Sequence, residues 1–192
     1  MNFPDYPLYG IRIEQLKTAY KTLFGLLDKI AFFMNAYYEL GIAETDIDFR
    51  SIWYSKHYGK NCYEYRNTLN KDANFALASL YWISRDLYDR FESSPNPELM
   101  RIRNIRNALE HKYVKIVAGY FPERLNGDVD DLALYVSEDE MFRLTMELMK
   151  TAREAIICLS LCVNIEEKKR EKCGDAIVVH CELQEFDDDW KV

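Results

Sequence analysis

The sequence predicts an all-α fold, an antiparallel bundle of four principal helices. Three observations carry that expectation. Long segments repeat apolar residues at three- and four-residue spacings, the period of a helix with one buried face. Seven glycines and five prolines in 192 residues leave little turn-forming material for a β-protein. The apolar residues, with 14% aromatics, suffice to close one hydrophobic core without disulfide or metal staples.

The elements follow in order. A first helix from about Ile11 to Leu40 places Leu16, Tyr20, Leu23, Leu27, Ile30 and Met34 on one face, and Gly41 follows as its stop. From Asp46 to Asn70 the period breaks, and Trp53, Tyr54, Tyr58, Tyr63 and Tyr65 stand among polar residues. We read 46–70 as an insertion packed by its own aromatics, with room for one helical turn. A second helix fits Asn74 to Phe91, ended by Ser93-Ser-Pro-Asn-Pro97. Asn96 then caps a third helix that opens on Pro97 and reaches about Lys112. The β-branched stretch Tyr113 to Val117 fits either a helical extension or an extended segment. A polar loop follows around Asn126-Gly127. Ser137-Glu-Asp-Glu140 is a capping box that starts a long last helix through Met141, Leu144, Leu148, Ala152, Ile156, Leu159 and Val163, ending in charge at Glu166 to Lys172. Ala176 to Val179 is strand-like, and 173–192 as a whole is an irregular acidic segment. No internal repeat is visible, and 1–192 reads as a single domain.

Bulk properties narrow the function classes. The five cysteines are odd in number and include no Cys-x-x-Cys pair, so a disulfide framework is not expected. His57, Cys62, Cys173, His180 and Cys181 have no spacing of a standard metal site, so no metal is expected. Cys158 and Cys162, one turn apart in an apolar helix, read as small hydrophobes. Nothing resembles a phosphate-binding Gly-rich loop or a serine-nucleophile motif, and no cofactor is expected. The N-terminus lacks the basic and apolar regions of a signal peptide, and the longest nearly apolar run, Ala155 to Val163, is too short for a membrane span. The expectation is a reduced, cytoplasmic protein with no membrane partner.

The net charge of −7 counts against broad nucleic-acid binding. The charge is uneven, however. Between Glu98 and Lys115 five basic residues (Arg101, Arg103, Arg106, Lys112, Lys115) face two acidic ones, while acidic residues gather at 128–131, 137–140 and 182–189. A local basic site suits brief contact with a few nucleotides.

The densest chemistry lies in Arg103-Asn-Ile-Arg-Asn-Ala-Leu-Glu-His-Lys-Tyr113. An imidazole moves protons near neutral pH, and a guanidinium holds charge that develops on phosphate; together they can cleave RNA without a metal. At about 100° per residue, Leu99, Ile102, Ile105, Leu109 and Tyr113 gather as a core stripe. Met100, Asn104, Asn107 and His111 form a second stripe roughly opposite, as a polar cleft or partner surface would need, with Arg103 beside it. Arg106 projects about 140° away from His111, towards the core edge. The bland account is an ion pair with Glu110 one turn on. The functional account needs a kink, a long reach, or a second copy of the chain meeting along the His111 stripe.

The spacing Arg106-x4-His111, with Asn107 after the arginine and Tyr113 two residues after the histidine, resembles the signature of the HEPN superfamily. The resemblance implies an antiparallel four- to five-helix bundle. It implies a homodimer in which two Arg/His motifs build one composite site for metal-independent RNA cleavage, the RNA supplying its own 2′-hydroxyl. Arg106 and His111 would be catalytic, and Asn107, Arg103, Tyr113 and Lys112 supporting or RNA-binding. Some family toxins are silenced by modification of the tyrosine at the Tyr113 position, which would make an antitoxin a partner. Host defence is a further role the resemblance carries. The 46–70 insertion and the segment after Cys173 are outside the minimal family pattern. The bare start would also fit a domain detached from a longer protein with a regulatory region.

Blander readings stand beside these. Tyr113 reads as a core or hinge residue, and Arg101, Arg103, Lys112 and Lys115 individually as a solvated face. Trp53-Tyr54 could stack bases, though packing within the insertion is the simpler account. The alternative to an enzyme is a non-catalytic dimerisation module that binds RNA, nucleotide or a protein partner, which the acidic net charge favours.

Overall fold

The computed structural model describes residues 8–56, 63–88, 97–118 and 133–173. Four helices dominate: α1 (Ile11–Tyr37), α2 (Phe75–Tyr88), α3 (Pro97–His111) and α4 (Glu138–Cys173). Strand β1 (Tyr54–Lys56) pairs antiparallel with β2 (Tyr63–Tyr65), Tyr54 opposite Tyr65. Strand β3 (Tyr113–Val117) pairs in parallel with β4 (Ala133–Ser137), Tyr113 opposite Ala133 and Val117 opposite Ser137.

The heptad-like spacings do what they predict. Tyr20, Phe24, Leu27, Ile30 and Met34 of α1 are buried against Leu77, Leu80 and Leu87 of α2, Ile102 and Ile105 of α3, and Met141, Leu144 and Leu148 of α4. Helix α1 and α4 lie side by side in the same sense, since Arg12 pairs with Glu138 and Tyr37 with Glu167. Helix α2 runs opposite to α4, because Asn74 at its start meets Cys162 and Glu166 late in α4. Strict alternation of four helices would set α1 and α4 in opposite senses. The passage through β3 and β4 before α4 lets them run together.

The end of α1 and the starts of α2, α3 and α4 have local causes. Helix α1 stops at a Schellman motif: Leu40 N–H donates to Asn35 O at 3.0 Å and Glu39 N–H to Ala36 O at 3.3 Å, with Glu39 left-handed at φ 51°. Gly41, the residue the sequence offers as the stop, is also left-handed at φ 67° but lies two positions further on. Asn74 caps α2, its Oδ1 accepting the N–H groups of Ala76 and Leu77 at 3.1 and 3.2 Å. Pro97 opens α3 as expected; the Asn96 cap lies outside the described residues. Ser137 Oγ accepts the Glu140 N–H at 3.1 Å and caps α4. The Glu140 carboxylate is gripped by Arg101 instead, Nε at 2.8 Å and Nη2 at 3.2 Å, tying α3 to the first turn of α4.

Two expectations need correction. The 46–70 segment is not packed by its own aromatics alone. A 3-10 turn at Glu44–Asp46 leads into it, it holds a second at Ser51–Trp53 and the strands β1 and β2, and Phe49, Ile52 and Trp53 are buried in the main core. Ser84 of α2 donates to Phe49 O at 2.8 Å, and Tyr81 packs edge-on against Trp53. Its backbone and rings are thus satisfied by the bundle, which leaves Trp53 no face for stacking bases. Tyr113 is the other correction. It leaves the core stripe because α3 ends at His111; as the first residue of β3 it is 70% exposed, and Ala108 is buried in the helix instead. The segment from Tyr113 to Val117 is extended, which settles the choice the sequence left open. The polar loop around Asn126-Gly127 and the strand-like stretch from Ala176 lie outside the described residues.

Candidate functional site

Helix α3 presents three faces. Ile102 and Ile105 point inward, while Met100, Asn104, Asn107 and His111 are all exposed, as their shared stripe predicts. Arg103 and Arg106 stand on the border, half-buried. Tyr20 fixes the helix to α1, its hydroxyl donating to Ile102 O at 2.6 Å from a fully buried position. Burial raises the Tyr20 hydroxyl well above its ordinary pKa, so it stays a donor.

Arg106 lies over the ring of Phe24, with Cζ 5.5 Å from the ring centre. Its Nε is 3.3 Å from Glu110 Oε1, the pair one helical turn apart that the spacing predicts. The N–H does not point at that oxygen, however. The contact is electrostatic, and Nε is a buried donor with no hydrogen-bond acceptor among the described residues. A buried unsatisfied N–H costs about 1–3 kcal/mol. Glu110 also reaches the other side of the helix, its Oε2 3.8 Å from His111 Nε2, an ion-pair distance too long for a hydrogen bond. Glu110 therefore stands between arginine and histidine and touches both.

A pocket of about 250 Å³ opens on the Arg106 side. Arg103, Arg106 and Asn107 of α3 line it with Asp28 of α1, Asp48 and Arg50 of the segment after α1, and Tyr88 at the end of α2. Asp28 is one turn after Phe24, so the face of α1 that carries the ring under Arg106 also carries a carboxylate into the pocket. Burial raises the Asp28 carboxyl above its ordinary value, while the Phe49 N–H (3.2 Å) and the Arg106 guanidinium pull the other way. Burial likewise raises the Tyr88 hydroxyl, with Asp28 adding to the effect. Asp48 is committed to its own turn, Oδ1 accepting the N–H groups of Arg50 at 2.8 Å and Ser51 at 2.7 Å. Arg103 Nη1 donates to Tyr88 O at 2.9 Å, which seats the end of α2 on α3.

The motif residues are thus divided. Arg106, Asn107 and Arg103 share the pocket; His111, 77% exposed, is not among its lining residues. Lys112 and Tyr113 are exposed beyond the helix end. No kink reunites the two sides, since Lys112 N–H still donates to Ala108 O at 2.9 Å. The basic residues read as a solvated face are mostly in use: Arg101 holds Glu140 and Tyr135 O, and Lys115 lies over the Tyr135 ring at 5.4 Å. Lys112 keeps the solvated role. Cys162 is buried as a small hydrophobe should be, and its Sγ also lies 3.1 Å from the Tyr38 hydroxyl. Among the described residues, no group of three His, Cys, Asp or Glu is placed to hold a metal ion, and no helix is long and apolar enough to cross a membrane.

A family profile described as LA2681-like HEPN matches residues 1–166. The chain belongs to this HEPN family. The match covers all four helices up to late α4, the Arg106-to-Tyr113 stretch and the pocket. The matched range also spans 46–70, whose Phe49, Ile52, Trp53 and Leu69 lie in the core of this HEPN domain. No curated protein and no solved structure matches the chain. HEPN domains are often RNases and commonly dimerise and bind RNA. The residues that motif reading missed are Asp28, Asp48, Arg50 and Tyr88. They come from three other parts of the HEPN chain, and nothing in their local spacing marks them.

Proposed function

We propose that this HEPN domain is a metal-independent endoribonuclease, active as a homodimer through Arg106 and His111, with a role in host defence or as a toxin. The observation that carries the reading is the divided motif. Arg106 is held at a pocket with a buried donor that lacks an acceptor, while His111 stands exposed at the end of the same helix. One chain offers two half-sites facing different ways. A two-fold partner meeting α3 along Met100, Asn104, Asn107 and His111 would bring two histidines and two arginines into one groove.

In that arrangement His111 of one chain takes the proton from the RNA 2′-hydroxyl, and O2′ attacks phosphorus. The P–O5′ bond breaks, the 5′-oxygen leaves with a proton from the second His111, present as imidazolium, and a 2′,3′-cyclic phosphate remains. Arg106 stabilises the charge on the phosphoryl oxygens. In this reading Asn107, Arg103 and Lys112 hold flanking phosphates, and the exposed Tyr113, two residues past the histidine, is the target of a regulatory partner.

The test is incubation of wild-type, Arg106→Ala and His111→Ala protein with structured RNA in EDTA, with the cut ends mapped. Wild type alone should cleave and leave cyclic phosphates. Retained cleavage by folded His111→Ala protein would sink the assignment. The second reading, a dimerising module that binds RNA, nucleotide or protein without turnover, is favoured by the net charge of −7 and by the carboxylate of Glu110 beside the histidine. It expects RNA retention by wild type with no cut ends.

A further inference from the structure

We propose that the Arg106 pocket is a guanine-nucleotide subsite, in which Asp28 reads the base edge and Arg103 and Arg106 hold the phosphate. The inference takes the site of the proposed ribonuclease and names the base it reads, so in its RNA form it rests on that reading.

The lining is mixed in charge, three guanidiniums to two carboxylates. A plain phosphate site has no use for carboxylates, and a site for a cation has none for three arginines. The combination fits a ligand with an anionic end and an end rich in donors. Asp48 is already committed to the backbone of its turn, which leaves Asp28 as the carboxylate with capacity to spare. Its Oδ1 accepts the Phe49 N–H, and a carboxylate has about four lone-pair sites. A carboxylate can only accept when ionised. Among the bases, guanine alone presents two adjacent donors, N1–H and the 2-amino group, on its pairing edge. Adenine and cytosine set a lone pair beside their amino group, and uracil flanks its N–H with two carbonyls, so each would face Asp28 with a repelled acceptor.

The rest of the pocket suits the same occupant. Arg103 and Arg106 both line the pocket, and a guanidinium presents paired N–H donors that match phosphate oxygens. Arg50 is exposed at the rim, where its guanidinium plane can cover a base. At about 250 Å³ the space is slightly below the ~300 Å³ lower end of ordinary ligand pockets, the scale of one nucleotide rather than a strand. An unpaired or splayed base is how proteins read RNA sequence.

The experiment titrates wild-type protein by calorimetry with GMP, IMP, AMP, CMP and UMP, and repeats GMP with Asp28→Asn. GMP should bind at least about tenfold more tightly than AMP, CMP or UMP. IMP keeps N1–H but lacks the 2-amino group, so it should fall between. Asp28→Asn should erase the preference. The ranking on wild type needs no variant, so a folding defect in Asp28→Asn leaves the test intact. Equal binding of all five, or no binding by the folded protein, overturns the proposal. A second arm measures binding of short single-stranded RNAs with and without one guanosine to His111→Ala protein. Guanosine-dependent RNA binding identifies the RNA base as the occupant; GMP selectivity without it identifies a free guanine nucleotide. Both readouts are of binding, so they stand whether or not RNA is cleaved.

Discussion

Arg106→Met separates what the arginine does for the fold from what it does for the site. The side chain's stem and guanidinium cover the Phe24 ring, and the replacement keeps an apolar stem there with a sulfur that also favours ring edges. What is lost is a cation–π contact of about 0.5–1 kcal/mol and a one-turn ion pair with Glu110 of roughly 0.2–0.5 kcal/mol. What is relieved is the buried Nε donor without an acceptor, about 1–3 kcal/mol. The two sides nearly cancel, so stability should stay within about 1 kcal/mol of wild type, with the balance towards a gain. Urea unfolding followed by far-UV circular dichroism reads this as an unchanged or slightly higher midpoint at constant slope. Cleavage should fall by roughly 10²-fold or more, the usual consequence of removing one transition-state donor. A midpoint drop equivalent to about 2 kcal/mol would show that the arginine is structural and refute the reasoning. So would undiminished cleavage.

Two further outcomes test the frame around the site. Glu39→Gly should raise stability by up to about 1 kcal/mol, because Glu39 closes the Schellman motif in a left-handed conformation that costs a side chain and suits glycine; thermal unfolding should move up by a few degrees, and a fall would show that the Glu39 side chain has an unseen role. Burial pushes the Glu166 carboxyl up, but hydrogen bonds from Asn74 at 2.7 Å and Lys169 at 3.0 Å outweigh it and leave it below its ordinary value. A depressed carboxylate contributes stability above the unfolded value, about 4.3, that is lost as pH falls through the folded one. Glu166→Gln should therefore be less stable than wild type at neutral pH and should lose less on acidification below about pH 4; parallel pH profiles for the two proteins would count against the network.

How much of this the sequence shows depends on the range of the interaction. The buried stripes of α1 and of the first turns of α4, the Ser137 cap and the Pro97 start are written in neighbouring residues, and the structure repeats them; further along α4 the stripe drifts, leaving Ile156 44% exposed and burying Ala155 and Cys162 instead. The exposed stripe from Met100 to His111 and the Arg106–Glu110 pair follow from helical geometry alone. Strand β4 does not: Ala133 to Ser137 is short, and its partner β3 is parallel and reached only across an intervening stretch, so no local alternation announces it. Composition points to Gly41 as the stop of α1, whereas Glu39 adopts the left-handed conformation because Asn35 and Ala36 hold the backbone there. The pocket is the least legible feature. Asp28 reads as one more polar position on an amphipathic helix until Phe24 and Arg106 show which way that face looks, and burial of Phe49 and Trp53 is what brings Asp48 and Arg50 alongside.

The two ends of the motif helix are held by different parts of the chain. The arginine end sits on Phe24 among buried residues of α1 and α3, contacts that form as soon as those two helices meet. The histidine end leads within two residues into β3, whose Ile116 O accepts the Leu8 N–H at 2.6 Å and whose parallel ladder needs β4. The chain just past the histidine thus enters a junction of three stretches far apart in sequence, whereas the arginine is seated on a ring of α1. A change in the β3–β4 ladder therefore meets the histidine end of α3 first, and a change at Phe24 meets the arginine end.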